Sequence, residues 1–563
     1  MKMPKGSVLI TWSVATATPA SLPMLREHLA RYTLSQVLLA LAQVAGLLKT
    51  WQNETDHKAD RDLTNELLPS HRAAINSFRD DTHVVFARIS LLYVARQACI
   101  VCGQAEGLPG QLSSGDLESI FCCCLMANDL IVERRAPRVS TTIEKAAASL
   151  PLANYIPHNT YPRDIARNLL IFEEIAPLLQ GASGYRDVAV DFAHATGVTP
   201  REFCELAFTA SLKFFKELKA GDSFVLKPSY LQHSSVAPEH VQSFFARSSA
   251  TPVDLQALVR SQENLGSDFL AFQRYPLVQI SEVDYVCPDP AFLLDKCGKS
   301  LYWTLHDAQP GNQRHSLLTY WSALIERYVH WLFAQTYQGR GTVMPSPRFS
   351  NGDEAFDLML VEGSCLIVIE VKASILTVQS KYGFSPQTLG EELHRKAITG
   401  EEGERKGVAQ LHENLRRLLD GDEIEGLDRG AIKTIYPALV FLDHSFTSPY
   451  LHQLYNEHFD RDALRRRPKR TITPVYSLTL DDLENSLPYT DKFSFSEILD
   501  SYWRNNRDRP AERRQFQVPI LDGKQPGKNV VRERFNKFGH DFHNTRFPDT
   551  PLEFETPKRT LTP

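Results

Sequence analysis

The chain has 563 residues, of which 43% are hydrophobic and 23% charged, ordinary values for a globular protein of about two to four domains. Its formal net charge of −5 at pH 7 excludes the overall basic character of small nucleic-acid-binding proteins. No stretch reaches the ~18 uninterrupted apolar residues that a membrane helix needs. We therefore predict a cytoplasmic protein with no membrane partner.

The nine cysteines lie mostly in apolar segments with helical periodicity, which indicates reduced thiols in a core. Cys99, Cys102 and the run Cys122–Cys124 raise a zinc hypothesis. We disfavour it because both clusters are embedded in helix-patterned sequence. Met1–Ser21 loosely resembles a signal peptide, but its apolar part is short and interrupted by polar residues, so we do not predict secretion.

Residues 1–266 are predicted to form a mainly α-helical region. Their apolar side chains recur at spacings of three and four residues, the period of a helix with one buried face. We interpret this region as a module for sensing, or for binding a partner protein or a second copy of the chain. The predicted helices are Leu34–Leu48, Val84–Cys102, Leu117–Val132, Asp164–Leu179 and Arg201–Leu218.

One pair of predicted helices has the layout of a helix-turn-helix. Val188–Phe203 contains a helix, a turn at Gly197 and a second helix that starts at Pro200. The second helix continues with Leu206 and Phe208, which makes it too apolar for an exposed recognition surface. We therefore favour plain packing over DNA reading for this pair.

Residues 267–310 have a different pattern and are predicted to be a short-strand connector. Tyr275–Ile280 and Asp284–Pro288 are typical of short strands. Gln309, Pro310 and Gly311 then mark a boundary, because proline and glycine interrupt regular elements.

The most informative segment is a predicted β-hairpin. Phe356–Leu360 and Cys365–Lys372 are apolar runs joined by a four-residue turn that contains Gly363. Side chains alternate between the two sides of a strand, so Glu370 and Lys372 project from the same side. Asp357 can then lie across from them. Charged groups at the end of a buried strand cost several kcal/mol unless they are paired or coordinated.

The hairpin is flanked by elements in a definite order. A helix over Ser316–Ala334 precedes it, and Glu326 lies at the border of the apolar stripe of that helix. A second helix over Glu404–Leu419 follows it and carries Gln410. Two further strands are then predicted, over Thr434–Asp443 and Val475–Leu480, with Pro437 indicating an interrupted or edge position in the first.

An acid on one strand, Glu-x-Lys on the next, and this order of helices and strands resemble the PD-(D/E)XK nuclease superfamily over residues 311–490. The resemblance implies an α/β restriction-endonuclease-like domain, with a mixed central sheet flanked by helices. Phe356 stands where the motif's name has proline, and Asp353 is a weaker substitute for Asp357. In this family a glutamate on the first helix commonly supports the site, and in several branches a glutamine or lysine from the second helix reaches it, which carries over to Glu326 and Gln410.

The chemistry implied by the resemblance is metal-dependent hydrolysis of phosphodiester bonds. Mg²⁺, or alternatively Mn²⁺, would be held by Asp357, Glu370 and the carbonyl of Val371. Lys372 would orient the attacking water or neutralise charge that develops on the phosphate. The implied partner is nucleic acid, with DNA favoured over RNA.

Several alternatives stay open at this point. Glu370 and Lys372 could be ordinary charges on a solvated strand edge. The domain could also be a catalytically silent scaffold that binds nucleic acid or protein, or residues 1–266 could hold the nuclease inactive until triggered. The architecture is similar to that of bacterial restriction and antiviral defence effectors, which is analogy only. Residues 491–563 are predicted to be a basic C-terminal tail, for which an irregular structure is an open alternative.

Overall fold

The computed structural model describes residues 8–50, 56–104, 110–135, 161–215, 224–232, 236–263, 268–383, 385–401, 404–447, 451–465, 470–506 and 518–546. Within these ranges the first part of the chain is mainly helical and the second contains a mixed sheet with helices. No helix in the described ranges is both long enough and apolar enough to cross a membrane.

The N-terminal helices largely follow the predicted pattern. Val84 instead lies in a strand, so the helix predicted from there begins at Arg88, and residues 216–218 at the end of the predicted helix Arg201–Leu218 lie outside the described residues. Leu34–Leu48 has its predicted bounds, and it begins with a reciprocal capping box between Thr33 and Gln36. The predicted helix Asp164–Leu179 instead consists of three consecutive helical types. The helices of this part are Trp12–Thr16, Leu22–Leu29, Leu34–Leu48, His57–Leu67, Arg72–Phe78, Arg88–Val101, Ser114–Arg135, Tyr161–Leu170, the π-helical turn Ile171–Ile175, the 3₁₀ turn Ala176–Leu179, Val188–Thr196, Pro200–Phe215, Pro228–Gln232, Pro238–Ser248, Pro252–Ser261, Leu270–Arg274, Pro290–Leu294, the 3₁₀ turn Asp295–Cys297 and Ser300–Ala308.

The predicted connector belongs to the helical region and does not separate that region from the second part of the chain. Both predicted strands exist, as Leu277–Gln279 and Tyr285–Val286, which pair with each other in an antiparallel sense. Their outer neighbours are Ser249–Ala250 and Val225–Leu226, so the four strands form one small sheet. The boundary at residue 267 is therefore not a structural one. A second small pair joins Val8–Leu9 to His83–Val84.

The helix-turn-helix layout is present as a packing unit. Gly197 ends the first helix with φ of 78°, a left-handed conformation that suits glycine. In the second helix Phe203 and Leu206 are fully buried, because they pack inside the helical region. Their burial agrees with the packing interpretation, since these side chains are not available to read DNA.

The second part of the chain is built on a six-stranded mixed sheet. We number its strands β1 (Thr342–Pro345), β2 (Leu358–Glu362), β3 (Cys365–Lys372), β4 (Thr434–Phe441), β5 (Thr471–Ile472) and β6 (Tyr476–Thr479). Four helices matter for the argument and are numbered α1 (Gly311–Thr336), α2 (Gly407–Asp420), α3 (Phe495–Asn506) and α4 (Val530–Arg546). The remaining helical segments here are Val378–Tyr382, Pro386–Leu393, the π-helical turn His394–Ile398, Arg429–Ala431, His444–Thr447, Leu451–His458, Arg461–Arg465, Leu480–Ser486, Leu487–Tyr489 and Pro519–Leu521.

The sheet confirms the predicted hairpin but not its bounds. The first strand is Leu358–Glu362 and not Phe356–Leu360, so the turn has two residues, Gly363 and Ser364, and not four. Strands β1, β2 and β3 form an antiparallel meander, in which Leu358 pairs with Ile369 and Glu362 with Cys365. Strand β4 then pairs with β3 in a parallel sense. Gly363 has φ of 58° in the hairpin turn, a value that residues with a Cβ rarely adopt.

Pro437 occupies an interruption in the sheet and not an edge. The far side of β4 pairs with β5 at Thr434 and Ile435, and with β6 only from Ala438 onward. Pro437 falls in the gap between these two short strands. The missing N–H of proline is therefore tolerated inside the sheet.

An irregular structure, the alternative left open for the basic tail, does not apply to its described part. Residues 495–506 and 530–546 form α3 and α4, while 507–517 and 547–563 lie outside the described residues. Phe538 and Phe542 of α4 pack edge-on against Phe208 of the helical region. The helix follows from this burial of aromatic side chains, a contact that the local periodicity of the tail did not reveal.

The two sides of the sheet belong to different hydrophobic cores. Leu366 and Val368 of β3 pack into a cluster with α2. The side chains between them, including Ile367 and Ile369, belong to a cluster that continues through α1 into the N-terminal helices. Residues 1–266 and the sheet therefore share one core, and a boundary at residue 311 divides the chain only in sequence.

A buried ionic network crosses the same junction. The Arg167 guanidinium donates to both carboxylate oxygens of Glu484, at 2.6 and 2.7 Å, and also contacts Asp481 and Asp164. The hydroxyl of Tyr328, on α1, donates to Glu484 at 2.7 Å. Arg167 is 3% exposed and Glu484 1%. The network therefore joins the helical region to the end of the sheet with little exposure to solvent.

Candidate active site

Glu370 and Lys372 lie at the carboxyl end of β3 and project toward α2. The Lys372 Nζ donates to Glu370 Oε1 at 2.6 Å and to Gln410 Oε1 at 3.2 Å. Glu370 is 1% exposed and the Lys372 side chain 13%. These charges are buried and paired, so they are not ordinary charges on a solvated strand edge.

Gln410 reaches this site because the start of α2 is fixed at Gly407. This residue has φ of 55°, and a Cβ at this position would lie 1.8 Å from the carbonyl oxygen of Ala397. Only glycine fits so close to the π-helical turn. The helix begins here and not at Glu404 as predicted, and Gln410 lies one turn into it.

Asp357 immediately precedes β2 and faces the end of β3. Its Oδ2 accepts a hydrogen bond from the backbone N–H of Val371 at 2.6 Å. The ring Nε2 of His330, on α1, lies 2.6 Å from the Asp357 carbonyl oxygen and donates to it. Asp357 therefore lies across the hairpin from Glu370, as the register predicts.

Glu326 enters the site from α1 and joins a cluster of carboxylates. Ser346 Oγ donates to Glu326 Oε1 at 3.4 Å. Carboxylate oxygens of Glu326, Asp357 and Glu354 lie within 4.8 Å of one another. Glu354 belongs to this cluster although no sequence pattern singles it out. The sequence shows that Glu354 lies three residues before Asp357. The direction of its side chain, however, depends on how the turn before β2 folds.

Asp353, the alternative acid, lies outside this cluster. Its Oδ2 is 3.0 Å from Arg417 Nη1, and the Asn351 side chain donates to the same carboxylate at 2.7 Å. The Asp353 side chain is 57% exposed. The structure therefore brings together Asp357 and not Asp353 with the other candidate residues.

These side chains line one cleft with a volume of about 560 Å³. We call the part of the cleft that is lined by Glu326, Asp357, Glu370 and Lys372 its floor. Three cationic lining residues, Lys396, Arg405 and Lys406, belong to the segment between β3 and α2. The lining residues are Ser322, Glu326, Asp357, Glu370, Val371, Lys372, Ala373, Ser374, Lys396, Glu404, Arg405, Lys406 and Gln410. All five predicted catalytic residues are among them.

The electrostatics of the floor favour a bound cation. Burial raises the pKa of Glu370, against the nearby Lys372 ammonium, and the charge of Asp357 adds to the rise. Burial alone would lower the pKa of Lys372, but the Glu370 and Asp357 carboxylates outweigh it and raise that pKa. Glu370 Oε2 is buried and has no hydrogen-bond partner among the described residues. A metal ligand position would satisfy this oxygen.

Glu326 should make the stability of the metal-free protein depend on pH. Burial, then the charges of Asp357 and Glu354, raise the pKa of Glu326 from 4.5 to about 7. The folded state binds this proton more tightly than the unfolded state, so stability is full below pH 4.5 and falls as pH rises through about 7.

The unfolding free energies of the wild type and of Glu326→Gln, both measured in EDTA, should depend differently on pH. Between pH 5 and pH 8 the wild type should lose about 1–2 kcal/mol of unfolding free energy relative to the variant, a figure reduced for solvent screening of a side chain that is about a third exposed. Urea denaturation at each pH measures this. A difference between the two proteins that stays constant with pH would contradict the electrostatic account.

The cysteine clusters do not form a comparable site. Cys99, Cys102 and Cys122–Cys124 are buried free thiols on or beside helices. Burial raises the pKa of Cys102 to about 12, so its thiol is protonated at neutral pH. Among the described residues, Glu326, Glu354 and Asp357 form the one group of three or more His, Cys, Asp or Glu side chains whose donor atoms lie close enough together to hold a metal ion.

Comparisons of the chain with protein-family models, curated proteins and solved structures find no match. The interpretation of this cleft therefore depends on the residues and geometry described above.

Proposed function

We propose that the chain is a metal-dependent nuclease that hydrolyses phosphodiester bonds, with DNA as the preferred substrate, and that the sheet with α1 and α2 is a restriction-endonuclease-like domain. One observation carries this proposal: Asp357, Glu370 and Lys372 converge in a single cleft, where Glu326 and Gln410 join them. A scaffold without activity has no need of a buried, paired lysine beside an unpartnered carboxylate oxygen.

The donor set fits Mg²⁺ or Mn²⁺. These ions prefer oxygen ligands and retain several waters, so two carboxylates and a carbonyl suffice. Asp357, Glu370 and the Val371 carbonyl would hold the ion, and Glu370 Oε2 supplies a donor that is otherwise without a partner. When bound, such an ion polarises a phosphate oxygen and acidifies a coordinated water.

Lys372 supplies fixed positive charge where the reaction develops negative charge. Glu370 and Gln410 hold its ammonium group by two hydrogen bonds, which leave its third N–H for the substrate or the attacking water. Because the group is buried and already oriented, its interaction with the phosphate costs little reorganisation. Gln410 acts by positioning Lys372 and not by direct chemistry.

The test is an incubation of the full chain with linear and circular double-stranded DNA, single-stranded DNA and RNA. Each substrate is treated with Mg²⁺, with Mn²⁺ or with EDTA. We expect cleavage with either metal, none in EDTA, and a higher rate on DNA than on RNA. Binding of nucleic acid without cleavage under any of these conditions would favour the silent scaffold instead.

A further inference from the structure

Asp357 lies where regular strand pairing no longer fixes its backbone. The last paired residue at this end of β2 is Leu358, which lies opposite Pro345 of β1 and Ile369 of β3. Asp357 is one residue before it, beyond the paired part of the described sheet. A side chain that is to bind an ion must be held to within about 0.5 Å of its productive position. Contacts other than strand pairing therefore have to hold Asp357.

One such contact comes from a residue with an unfavourable backbone conformation. The backbone N–H of Ser346 donates to the Asp357 carbonyl at 2.9 Å. Ser346 has φ of 42°, a value that a residue with a Cβ rarely adopts, and the ring of Pro347 restricts the residue before it further. A conformation of this kind persists only where its surroundings hold it. The Ser346 contact therefore depends on support from the rest of the site.

His330 supplies a second contact to the same carbonyl, from a long helix. Its ring Nε2 lies 2.6 Å from the Asp357 carbonyl oxygen, and the residue is 8% exposed. On α1 it lies one turn after Glu326, whose Oε1 is 3.8 Å from the same Nε2. The residues that line the cleft do not include His330. Its ring therefore lies behind the carboxylates and reaches the site through Asp357.

A third contact holds the carboxylate of Asp357. Its Oδ2 accepts from the backbone N–H of Val371 at 2.6 Å. The carbonyl and one carboxylate oxygen of Asp357 are thus both fixed, which gives the other oxygen, Oδ1, a defined position for an ion. Because the His330 contact comes from α1, it also fixes that helix against the end of β2.

We propose that His330 is a positioning residue for the metal site. Its Nε2–H holds the Asp357 carbonyl, so that the Asp357 carboxylate is already in place for the cation. This inference rests on the proposed function, which assigns the cation to Asp357, Glu370 and the Val371 carbonyl. His330 contacts neither the cation nor the substrate. Loss of a polar group that holds a metal ligand in place typically lowers metal affinity or activity about 10–100-fold.

The test is the Mn²⁺ affinity of the full chain without nucleic acid, measured by isothermal titration calorimetry. His330→Leu and His330→Asn should raise the dissociation constant about 10–100-fold, because neither side chain carries an N–H to the Asp357 carbonyl. His330→Gln should bind Mn²⁺ nearly as tightly as the wild type, since its longer side chain brings an amide N–H to the position of Nε2. The Mg²⁺ concentration for half-maximal DNA cleavage should follow the same order.

His315→Leu is the matched control. It makes the same substitution on the same helix at an exposed position, and it should bind Mn²⁺ as the wild type does. Circular dichroism checks that each variant folds. The comparison of His330→Asn with His330→Gln decides the matter even if His330→Leu does not fold, because these two side chains differ by a single methylene group.

Equal Mn²⁺ affinity in the wild type and His330→Asn would overturn the inference, and so would equal losses of affinity in His330→Asn and His330→Gln. The proposed function fails separately. A wild-type chain that binds Mn²⁺ and cleaves DNA, with His330→Asn unchanged in both, removes only the role of His330. A wild-type chain that binds no Mn²⁺ and cleaves nothing removes both.

Discussion

Replacing Lys372 with methionine or alanine is expected to lower DNA cleavage by about 10²–10³-fold or more. Loss of one preorganised cation at the reacting phosphate accounts for this magnitude. Folding should survive, because Glu370 can take up a proton once its ion partner is gone, and its pKa is already raised by burial. The methionine variant also keeps the packing of the lysine stem.

This prediction is tested by initial cleavage rates in Mg²⁺. Circular dichroism spectra and thermal unfolding show whether each variant is folded. Lys433→Ala is a matched control, because Lys433 is exposed just before β4, at the end of the sheet opposite Lys372. It should cleave at the wild-type rate. Normal cleavage by either Lys372 variant would remove the proposed mechanism, since no other lysine or arginine contacts Glu370 among the described residues.

The largest expected effect on stability is that of Arg167→Ala. Removal of the Arg167 guanidinium leaves the carboxylates of Glu484 and Asp481 buried without their main cation, which typically costs about 3–5 kcal/mol of unfolding free energy. Because these groups join the helical region to the sheet, loss of the ion pairs should lower the stability of both parts together. Urea denaturation, followed by circular dichroism and by tryptophan fluorescence, gives the change in unfolding free energy.

Arg163→Ala provides the comparison for this variant. Arg163 reaches the same Asp481 from 3.8 Å, but its side chain is 24% exposed, so its removal should cost about 1 kcal/mol or less. Equal losses of unfolding free energy in the two arginine variants would show that the buried network does not stabilise the contact between the helical region and the sheet. Separate unfolding transitions in the wild type would argue against a shared core.

The shared core also bears on the idea that residues 1–266 inhibit a detachable nuclease. One side of the sheet, with Ile367 and Ile369, packs through α1 into the helical region. Removal of that region would expose this apolar surface and the Glu484 network to water. The helical region is therefore a structural part of the cleft's support and not a removable cover.

Local sequence determined much of the candidate site. Strand alternation alone places Glu370 and Lys372 on one side of β3, and the short turn at Gly363 sets the register that brings Asp357 across from them. The bounds of the helix Leu34–Leu48 likewise follow from its cap and its period. These features are decided by residues close together in the chain, so their patterns are readable without the fold.

Tertiary structure alone decided the rest. Glu354 joins the cluster because the turn before β2 is held against α2, and Arg167 finds Glu484 across 317 positions of sequence. The helix α4 forms where its phenylalanines pack on a distant helix. Contacts of this kind depend on the direction of a loop or on burial by a remote element, and neither leaves a periodic signal in the local sequence.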